Sequence, residues 1–116
     1  MKIEDQPDEI RFALRAVSRE LFGNKFLLEV VVAIASMEEG SVFAGRLARA
    51  LGMADNQAGQ LLRRLSAAGY LTTLGRADGQ IRIYYRREPS CLWDSALVIA
   101  NEVAQRPREN RPRLVS

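Results

Sequence analysis

The sequence contains no histidine and one cysteine, Cys91. An intrachain disulfide needs two cysteines, and the usual zinc sites and histidine-based catalytic triads need histidine or several cysteines. An acidic cluster near the start has no histidine and no glycine-rich phosphate loop beside it, so helix capping and solvation are its expected roles. The sequence therefore predicts no metal site, no cofactor and no enzyme activity.

Long apolar runs are also missing. A membrane-spanning helix needs about 20 apolar residues, whereas the best candidate, residues 26–37, is shorter and carries Glu29. The first six residues are polar and acidic, unlike a signal peptide. With 116 residues, of which 47% are hydrophobic and 27% charged, the composition is that of one globular domain. We expect a cytoplasmic protein with no membrane partner.

The positive charge is unevenly distributed. Residues 1–40 hold five Lys or Arg against eight Asp or Glu, residues 41–87 hold eight against two, and residues 88–116 hold four against four. Phosphate groups are neutralised by a local patch and not by the average charge of a protein. The basic middle third therefore favours a polyanionic partner.

The first part of the chain predicts two helices after a flexible segment at residues 1–7. Asp8 is a suitable N-cap for a helix ending near Gly23, since apolar residues recur there at helical spacing. A second helix is predicted over residues 24–39, closed by Gly40. It is apolar around most of its circumference, which is typical of a helix buried on several sides.

Residues 41–69 predict two short helices joined by a tight turn at Gly52. Leu47, Ala48 and Leu51 form the apolar face of the first helix. Either Asp55 or Asn56 is expected to cap the second helix, in which Ala58, Leu62 and Leu65 face inward. Gly59 within this helix costs about 1 kcal/mol relative to alanine, and it permits close approach of the backbone to another helix or a ligand.

Residues 70–87 then predict a β-hairpin, because two segments rich in β-branched and aromatic residues flank an Asp78-Gly79 turn. A last helix over residues 90–105 has an apolar stripe wide enough to need a partner helix. Residues 106–116 form a basic, proline-interrupted tail that we expect to be disordered. The predicted fold is mainly α with a small β-hairpin, in one domain covering residues 8–105.

This order of elements, together with the local sequence, resembles a known fold family. The segments LARALGM at 47–53, LLRRLSAAGYL at 61–71 and GQIRIYYR at 79–86 are similar to the winged helix-turn-helix transcription regulators of the bacterial ArsR and MarR types. The resemblance covers residues 24–88, and outside them it depends on helix order alone. It implies a homodimer on double-stranded DNA, with residues 8–23 and 90–105 as dimerisation helices, 41–69 as the helix-turn-helix and 70–87 as the wing.

Candidate DNA-binding residues lie on the second helix of the pair and on the hairpin. Glutamine side chains pair with adenine and arginine side chains with guanine, so we expect Gln57, Gln60 and Arg63 to read bases, with Asn56 as a further candidate. We expect three arginines to bind phosphates or the minor groove: Arg64, Arg76 and Arg82. Arg46 and Arg49 fit either phosphate contact or solvent equally.

Two alternatives use the same fold. One is a winged-helix module that binds a protein partner, for which Leu61 beside Gln60 is the one hint of an apolar surface. The other is an architectural or plasmid-partition protein that binds DNA with little sequence preference. Cys91 is expected to be a small buried apolar residue and not a redox sensor. ArsR-type metal sites of cysteine and histidine have no counterpart here, and the sequence identifies no small-molecule effector.

Overall fold

The computed structural model describes residues 1–38, 40–76 and 82–113. Within them the chain forms five α-helices, three β-strands and two 3-10 turns. In chain order these are the turn Ile3–Asp5, α1 (Asp8–Phe22), α2 (Leu27–Ala35), β1 (Ser41–Val42), α3 (Ala44–Leu51), α4 (Asp55–Ala67), β2 (Leu71–Arg76), β3 (Ile83–Arg87), α5 (Cys91–Gln105) and the turn Arg108–Asn110. The prediction of a mainly helical chain with a small β-hairpin is confirmed.

The chain divides into two compact units, where the sequence predicted one domain over residues 8–105. The helical unit contains Met1–Ser36 and the described residues from Leu92 onward, and the hairpin unit contains the described residues of Met37–Cys91. The first unit therefore joins the two ends of the chain, and the second is continuous in sequence.

In the helical unit, α1 is amphipathic and α2 is buried on all sides. The buried residues of α1 include Ile10, Ala13 and Leu14, whereas Leu21, which continues the predicted helical spacing, is 61% exposed. Every residue of α2 from Leu28 to Ile34 is buried, as its apolar circumference predicted. α5 buries Trp93, Ala96, Ala100 and Val103, spaced by three, four and three residues.

The predicted start of α2 at residue 24 is wrong. The N–H of Phe26 donates to Oδ1 of Asn24 (2.9 Å), which is a local side-chain turn that competes with helix. The buried hydroxyl of Ser18 donates to the carbonyl of Asn24 (2.6 Å) and accepts from the N–H of Leu28 (2.9 Å). Ser18 thus fixes the connection between α1 and α2. α2 begins at Leu27 and ends at Ala35.

Glu29 of α2 is completely buried, and both of its carboxylate oxygens are paired. Nε of Arg11 donates to one oxygen at 2.8 Å, and Nε of Arg15 donates to the other at 2.5 Å. A buried carboxylate is tolerated only when it is paired and hydrogen-bonded. Glu29, the one charged residue in the apolar run of α2, therefore accepts hydrogen bonds from two arginines of α1.

Both chain ends differ from the flexible segments that the sequence predicted. Residues 1–7 contain a 3-10 turn with Ile3 fully buried, and the hydroxyl of Ser36 donates to the carbonyl of Met1. In the tail, Arg111 donates to the carbonyl of Ala104 at 3.2 Å and pairs with Glu9 at 3.4 Å. Burial of an isoleucine and pairing of an arginine stabilise these segments. The predicted tail residues 114–116 lie outside the described residues.

The hairpin unit contains the predicted pair of short helices. α3 ends at Gly52, whose φ of +69° is the left-handed conformation that glycine adopts without strain. The N–H of Met53 then donates to the carbonyl of Ala48 (3.1 Å), which completes the helix end. α4 begins after a connection of three residues and buries Ala58, Leu61, Leu62 and Leu65.

A three-stranded antiparallel sheet in the order β1-β3-β2 completes this unit. Ser41 pairs with Arg86 and Val42 with Tyr85, so a two-residue strand adds an edge to the hairpin. The sequence did not predict β1, because two residues are too few to show a period. The ladder of β2 is interrupted between Thr73 and Gly75, and Gly75 has a φ of +84°. The predicted Asp78-Gly79 turn lies outside the described residues.

Candidate nucleic-acid interface

A groove of about 680 Å³ opens on the hairpin unit where α3, α4 and β3 meet. Its lining combines cationic and amide side chains with aromatic and small ones: Phe43, Ala44, Gly45, Arg49, Asp55, Asn56, Gly59, Arg63, Arg82, Ile83 and Tyr85. Three of the predicted site residues, Asn56, Arg63 and Arg82, meet here. The groove is therefore the place where the structure concentrates the candidate side chains.

The start of α4 determines where its amide side chains lie. The N-cap is Ala54, and the N–H of Ala54 donates to Oε1 of Gln57 (3.3 Å). Since an alanine side chain accepts no hydrogen bond, only this half of a capping box is present. The N–H of Gln57 donates to Oδ1 of Asn56 (3.0 Å). The predicted capping by Asp55 is wrong, because Asp55 lies inside the first turn.

Arg63 lies one helical turn after Gly59, and its guanidinium extends over that glycine. A Cβ built on Gly59 would lie 3.5 Å from Nη1 of Arg63 and 3.9 Å from Cβ of Ala44. Both distances are ordinary van der Waals contacts, so the packing of α3 on α4 does not require glycine here. The missing side chain instead leaves the groove open beside Arg63.

Arg49 of α3 also lines the groove. From the sequence, phosphate contact and a solvated position were equally expected for this residue. It is exposed, and its Nε donates to the carbonyl of Gly45 at 3.4 Å. Gly45 belongs to the first turn of α3, whose N-cap Phe43 makes no side-chain capping bond. The structure therefore places Arg49 beside the amino end of its own helix, with most of its donors available to a ligand.

Arg82 is held by an aromatic pair that the sequence did not single out. Its guanidinium carbon lies 4.6 Å from the centre of the Phe43 ring, and Phe43 makes an edge-on contact with Tyr84 at 5.3 Å between ring centres. Arg82 is exposed but positioned by this cation–π contact. Arg76 ends β2, and its side chain lies outside the described part of the chain.

The other predicted residues of α4 do not line this groove. Gln57, Gln60 and Arg64 are all exposed on the helix, on a surface outside the lining of the groove. Arg46 is half-buried. The structure thus splits the predicted set in two, with Asn56 and Arg63 in the groove and Gln57, Gln60 and Arg64 elsewhere on α4.

The groove carries an excess of positive charge. It contains three arginines and one carboxylate, that of Asp55. Asp55 lies in the first turn of α4, and the amino end of a helix favours negative charge. Guanidinium groups bind phosphate and carboxylate oxygens through paired donors. Three of them around a groove that Phe43 and Tyr85 also line suit an anionic ligand with flat, apolar parts.

At the base of the hairpin, the hydroxyl of Thr72 donates to the carboxylate of Glu88. This hydrogen bond is the main reason that the pKa of Glu88 lies below its ordinary value of 4.5. Partial burial acts in the opposite direction, and Arg86, with Nη2 3.5 Å from Oε1 of Glu88, lowers the pKa further. Glu88 is therefore ionised at neutral pH, and it lies outside the lining of the groove.

No family model and no curated protein sequence matches the chain. A solved structure does: the crystal structure of MepR, a transcription regulator of the Staphylococcus aureus multidrug efflux pump MepA, has a TM-score of 0.60 at 16% identity. The match covers 84% of this chain and 72% of that one. The chain has the winged-helix fold. At such low identity the similarity extends to the fold alone.

Within the winged-helix fold, α3 and α4 form the helix-turn-helix, and β2 with β3 forms the wing. Leu61 of α4 is only 3% exposed, so the apolar surface inferred from it is wrong. Ala58, Leu61, Leu62 and Leu65 share one face of α4, and their spacing of three, one and three residues is the signal that identifies Leu61 as core.

Cys91 is exposed, so its predicted burial is wrong. It is the first residue of α5, ahead of the buried residues of that helix. Among the described residues, no group of cysteine, aspartate and glutamate side chains is arranged to hold a metal ion. No helix formed by these residues is long and apolar enough to cross a membrane.

Proposed function

We propose that this protein is a DNA-binding transcription regulator that binds its operator as a homodimer. The observation that carries the proposal is the groove on the hairpin unit of a winged-helix fold, where Arg49 of α3, Arg63 of α4 and Arg82, just before β3, come together. MepR, which is similar in fold, is described as a transcription regulator. The basic surplus of residues 41–87 supports the same partner, since phosphates dominate DNA affinity.

The groove residues divide into two roles. Arg49 and Arg82 bind backbone phosphates, because one lies beside the amino end of α3 and the other is held against Phe43. Asn56 and Arg63 contact base edges as α4 enters the major groove. Gly59, between them on α4, lets the DNA approach the helix backbone closely.

The remaining predicted residues act outside the groove. Gln60 presents an exposed amide to bases, and Arg64 binds an adjacent phosphate. Gln57 has one oxygen engaged in capping α4, so its amide NH₂ group is the part that contacts DNA. Arg76, at the end of β2, contacts the neighbouring minor groove.

The dimer is formed by α1 and α5, which bring two copies of α4 to successive major grooves. Exposed apolar side chains on these helices support this assignment: Leu21 and Phe22 on α1 and Val98 on α5 are between 42% and 61% exposed. Covering such side chains stabilises an interface between two copies.

The test is selection of random-sequence duplex DNA by the full chain at two salt concentrations, followed by sequencing of the retained fraction. We expect enrichment of an inverted repeat with half-sites about 10 base pairs apart, centre to centre. Salt-sensitive retention without enrichment would instead indicate the architectural role. Absence of binding at low salt would contradict any function on DNA and favour a protein-binding module.

The dimer is tested separately by sedimentation equilibrium. We expect the mass of two chains, about twice 13.0 kDa, at micromolar concentration. A mass of one chain that persists when an enriched duplex is added would contradict the paired half-sites, although DNA binding itself would stand.

A further inference from the structure

A second cleft lies in the helical unit, between the start of α1 and the segment that follows α5. Its volume is about 480 Å³, within the range of small-molecule sites. Its walls combine guanidinium groups, one carboxylate and apolar side chains, namely Glu9, Phe12, Ala13, Arg108, Arg111, Pro112 and Arg113. The basic tail of the sequence thus forms part of a defined cleft.

Arg111 fixes the tail in this position. Its Nη2 donates to the carbonyl of Ala104 at 3.2 Å, its Nε donates to the carbonyl of Arg106 at 3.1 Å, and its Nη1 lies 3.4 Å from Oε1 of Glu9. The side chain of Arg111 is only 17% exposed. These three contacts give Arg111 a structural role, and they leave the other two arginines of the cleft to contact a ligand.

The cleft has two more positive charges than negative ones. Glu9 is its one carboxylate, and Arg108 approaches it at 3.6 Å while remaining 80% exposed. Arg113 is also exposed. A phosphate monoester carries a charge of about −1.5 to −2 near pH 7, which balances this excess. Arginine forks bind phosphate oxygens through two donors at once.

The apolar wall provides a surface for a ring. Phe12 is 50% exposed, and Ala13 and Pro112 line the same cleft. Stacking of a base on an aromatic side chain strengthens binding by at least about fivefold. A ligand with both a phosphate and a flat ring satisfies the two walls together.

We propose that this cleft binds a small aromatic phosphate, of which a nucleoside monophosphate is the simplest form. Arg108 and Arg113 bind the phosphate, and Phe12 stacks on the base. The site lies within the helical unit and does not depend on the proposed DNA-binding function.

Isothermal titration calorimetry of the full chain with adenosine 5′-monophosphate tests the proposal without DNA. Ribose 5-phosphate has the same phosphate but no base, and we expect it to bind at least about fivefold more weakly, which corresponds to the lower limit for stacking. Inorganic phosphate is expected to bind more weakly still. No binding of the nucleotide at millimolar concentration, or equal binding of all three compounds, would overturn the proposal.

Single variants locate the site. Arg108→Gln and Arg113→Gln are each expected to weaken nucleotide binding about tenfold through loss of a charge-assisted hydrogen bond. Both variants keep Arg111 and its contacts, so the melting temperature should not change. Arg106→Gln is the matched control. Arg106 is exposed and lies outside the lining of the cleft, so this substitution removes the same charge without changing the cleft.

An equal loss of affinity in Arg106→Gln would mean general attraction by a basic tail and would overturn the proposal. Titration with duplex DNA tests whether Arg108 and Arg113 bind the phosphates of DNA and not the phosphate of a small molecule. If Arg108→Gln and Arg113→Gln weakened DNA binding while the protein bound no nucleotide, the tail would be a nucleic-acid contact and the small-ligand site would be excluded.

Discussion

The guanidinium carbon of Arg82 lies 4.6 Å from the centre of the Phe43 ring, and this contact joins the residue before β3 to the N-cap of α3. A cation–π contact of this kind holds an exposed arginine in one orientation before a ligand arrives. Arg82 lies next to the Arg76–Ile83 pair, at the opposite end of the hairpin from Glu88, and it lines the same groove as Arg63.

Replacement of the ring tests this arrangement. Phe43→Leu keeps an apolar side chain but removes the π-face, whose contact with an exposed cation contributes about 0.5–1 kcal/mol. We expect duplex DNA affinity to fall about two- to fivefold, as measured by fluorescence anisotropy, whereas Phe43→Tyr should retain it. In an Arg82→Gln background Phe43→Leu should have no further effect, and an equal additional loss there would contradict the coupling.

Arg63 and Arg64 are neighbours on α4 that differ in position relative to the groove, so they form a matched pair. Arg63→Ala should cost about 1–3 kcal/mol of DNA-binding free energy and relax the preference at one base pair, if its contact is bidentate to a base. Arg64→Ala should weaken binding to all sequences alike and reduce the salt slope by about one. Selection and sequencing with each variant measure both effects. Uniform weakening by Arg63→Ala would assign it to phosphate.

Gly59→Ala separates stability from binding. The added methyl group meets Arg63 and Ala44 only at ordinary contact distances, so we expect a gain of about 0.5–1 kcal/mol in the free energy of unfolding, from helix propensity. The same methyl group occupies the groove, so DNA affinity should fall. Urea unfolding and anisotropy measure the two quantities, and a stabilised variant with unchanged affinity would contradict close approach of DNA to this backbone. Ala67→Gly on the last turn of the same helix provides the reverse control, since it should lower stability without changing affinity.

The local sequence was sufficient to predict the helix-turn-helix and the hairpin, because their signals are short-range. Gly52 ends α3, apolar residues recur at helical spacing along α4, and β-branched and aromatic residues mark both long strands. Asn56 and Arg63 lie on α4 as predicted, whereas Arg82 precedes β3 and is not on the strand. The groove brings the three side chains together.

The parts that the sequence did not predict depend on contacts between distant residues. Glu9 and Arg111 lie 102 positions apart, and no local pattern pairs them. The sequence did not single out Phe43, since its contact with Arg82 arises only when β3 pairs with β1 beside α3. The same holds for Arg49, whose place in the groove depends on how α3 packs on α4.

The lowered pKa of Glu88 predicts a pH dependence at the base of the wing. The pKa of Glu88 is lower in the folded chain than its ordinary value of 4.5. The ionised carboxylate therefore stabilises the fold, and this contribution is fully present above pH 4.5. This stability is lost as the pH falls through the lowered pKa. Thr72→Val removes the main hydrogen bond, so the pKa should rise toward 4.5, as followed by NMR titration of the side-chain carboxyl carbon. Thr73→Val is the control, since the hydroxyl of Thr73 pairs with Ser66 instead. A Glu88 pKa unchanged in Thr72→Val would contradict the assignment.

Glu29 is the position at which we expect the largest loss of stability. Its carboxylate is fully buried, and the paired side chains of Arg11 and Arg15 are only 15% and 18% exposed. Glu29→Gln leaves two guanidinium groups beside a neutral amide, and breaking a buried pair in this way costs about 3–5 kcal/mol. Urea unfolding should show a lower midpoint with an unchanged slope. Glu20→Gln on the exposed face of α1 is the control and should stay within about 0.5 kcal/mol of the unchanged protein. Equal stability of the two variants would mean that the arginine pair contributes nothing beyond a surface ion pair.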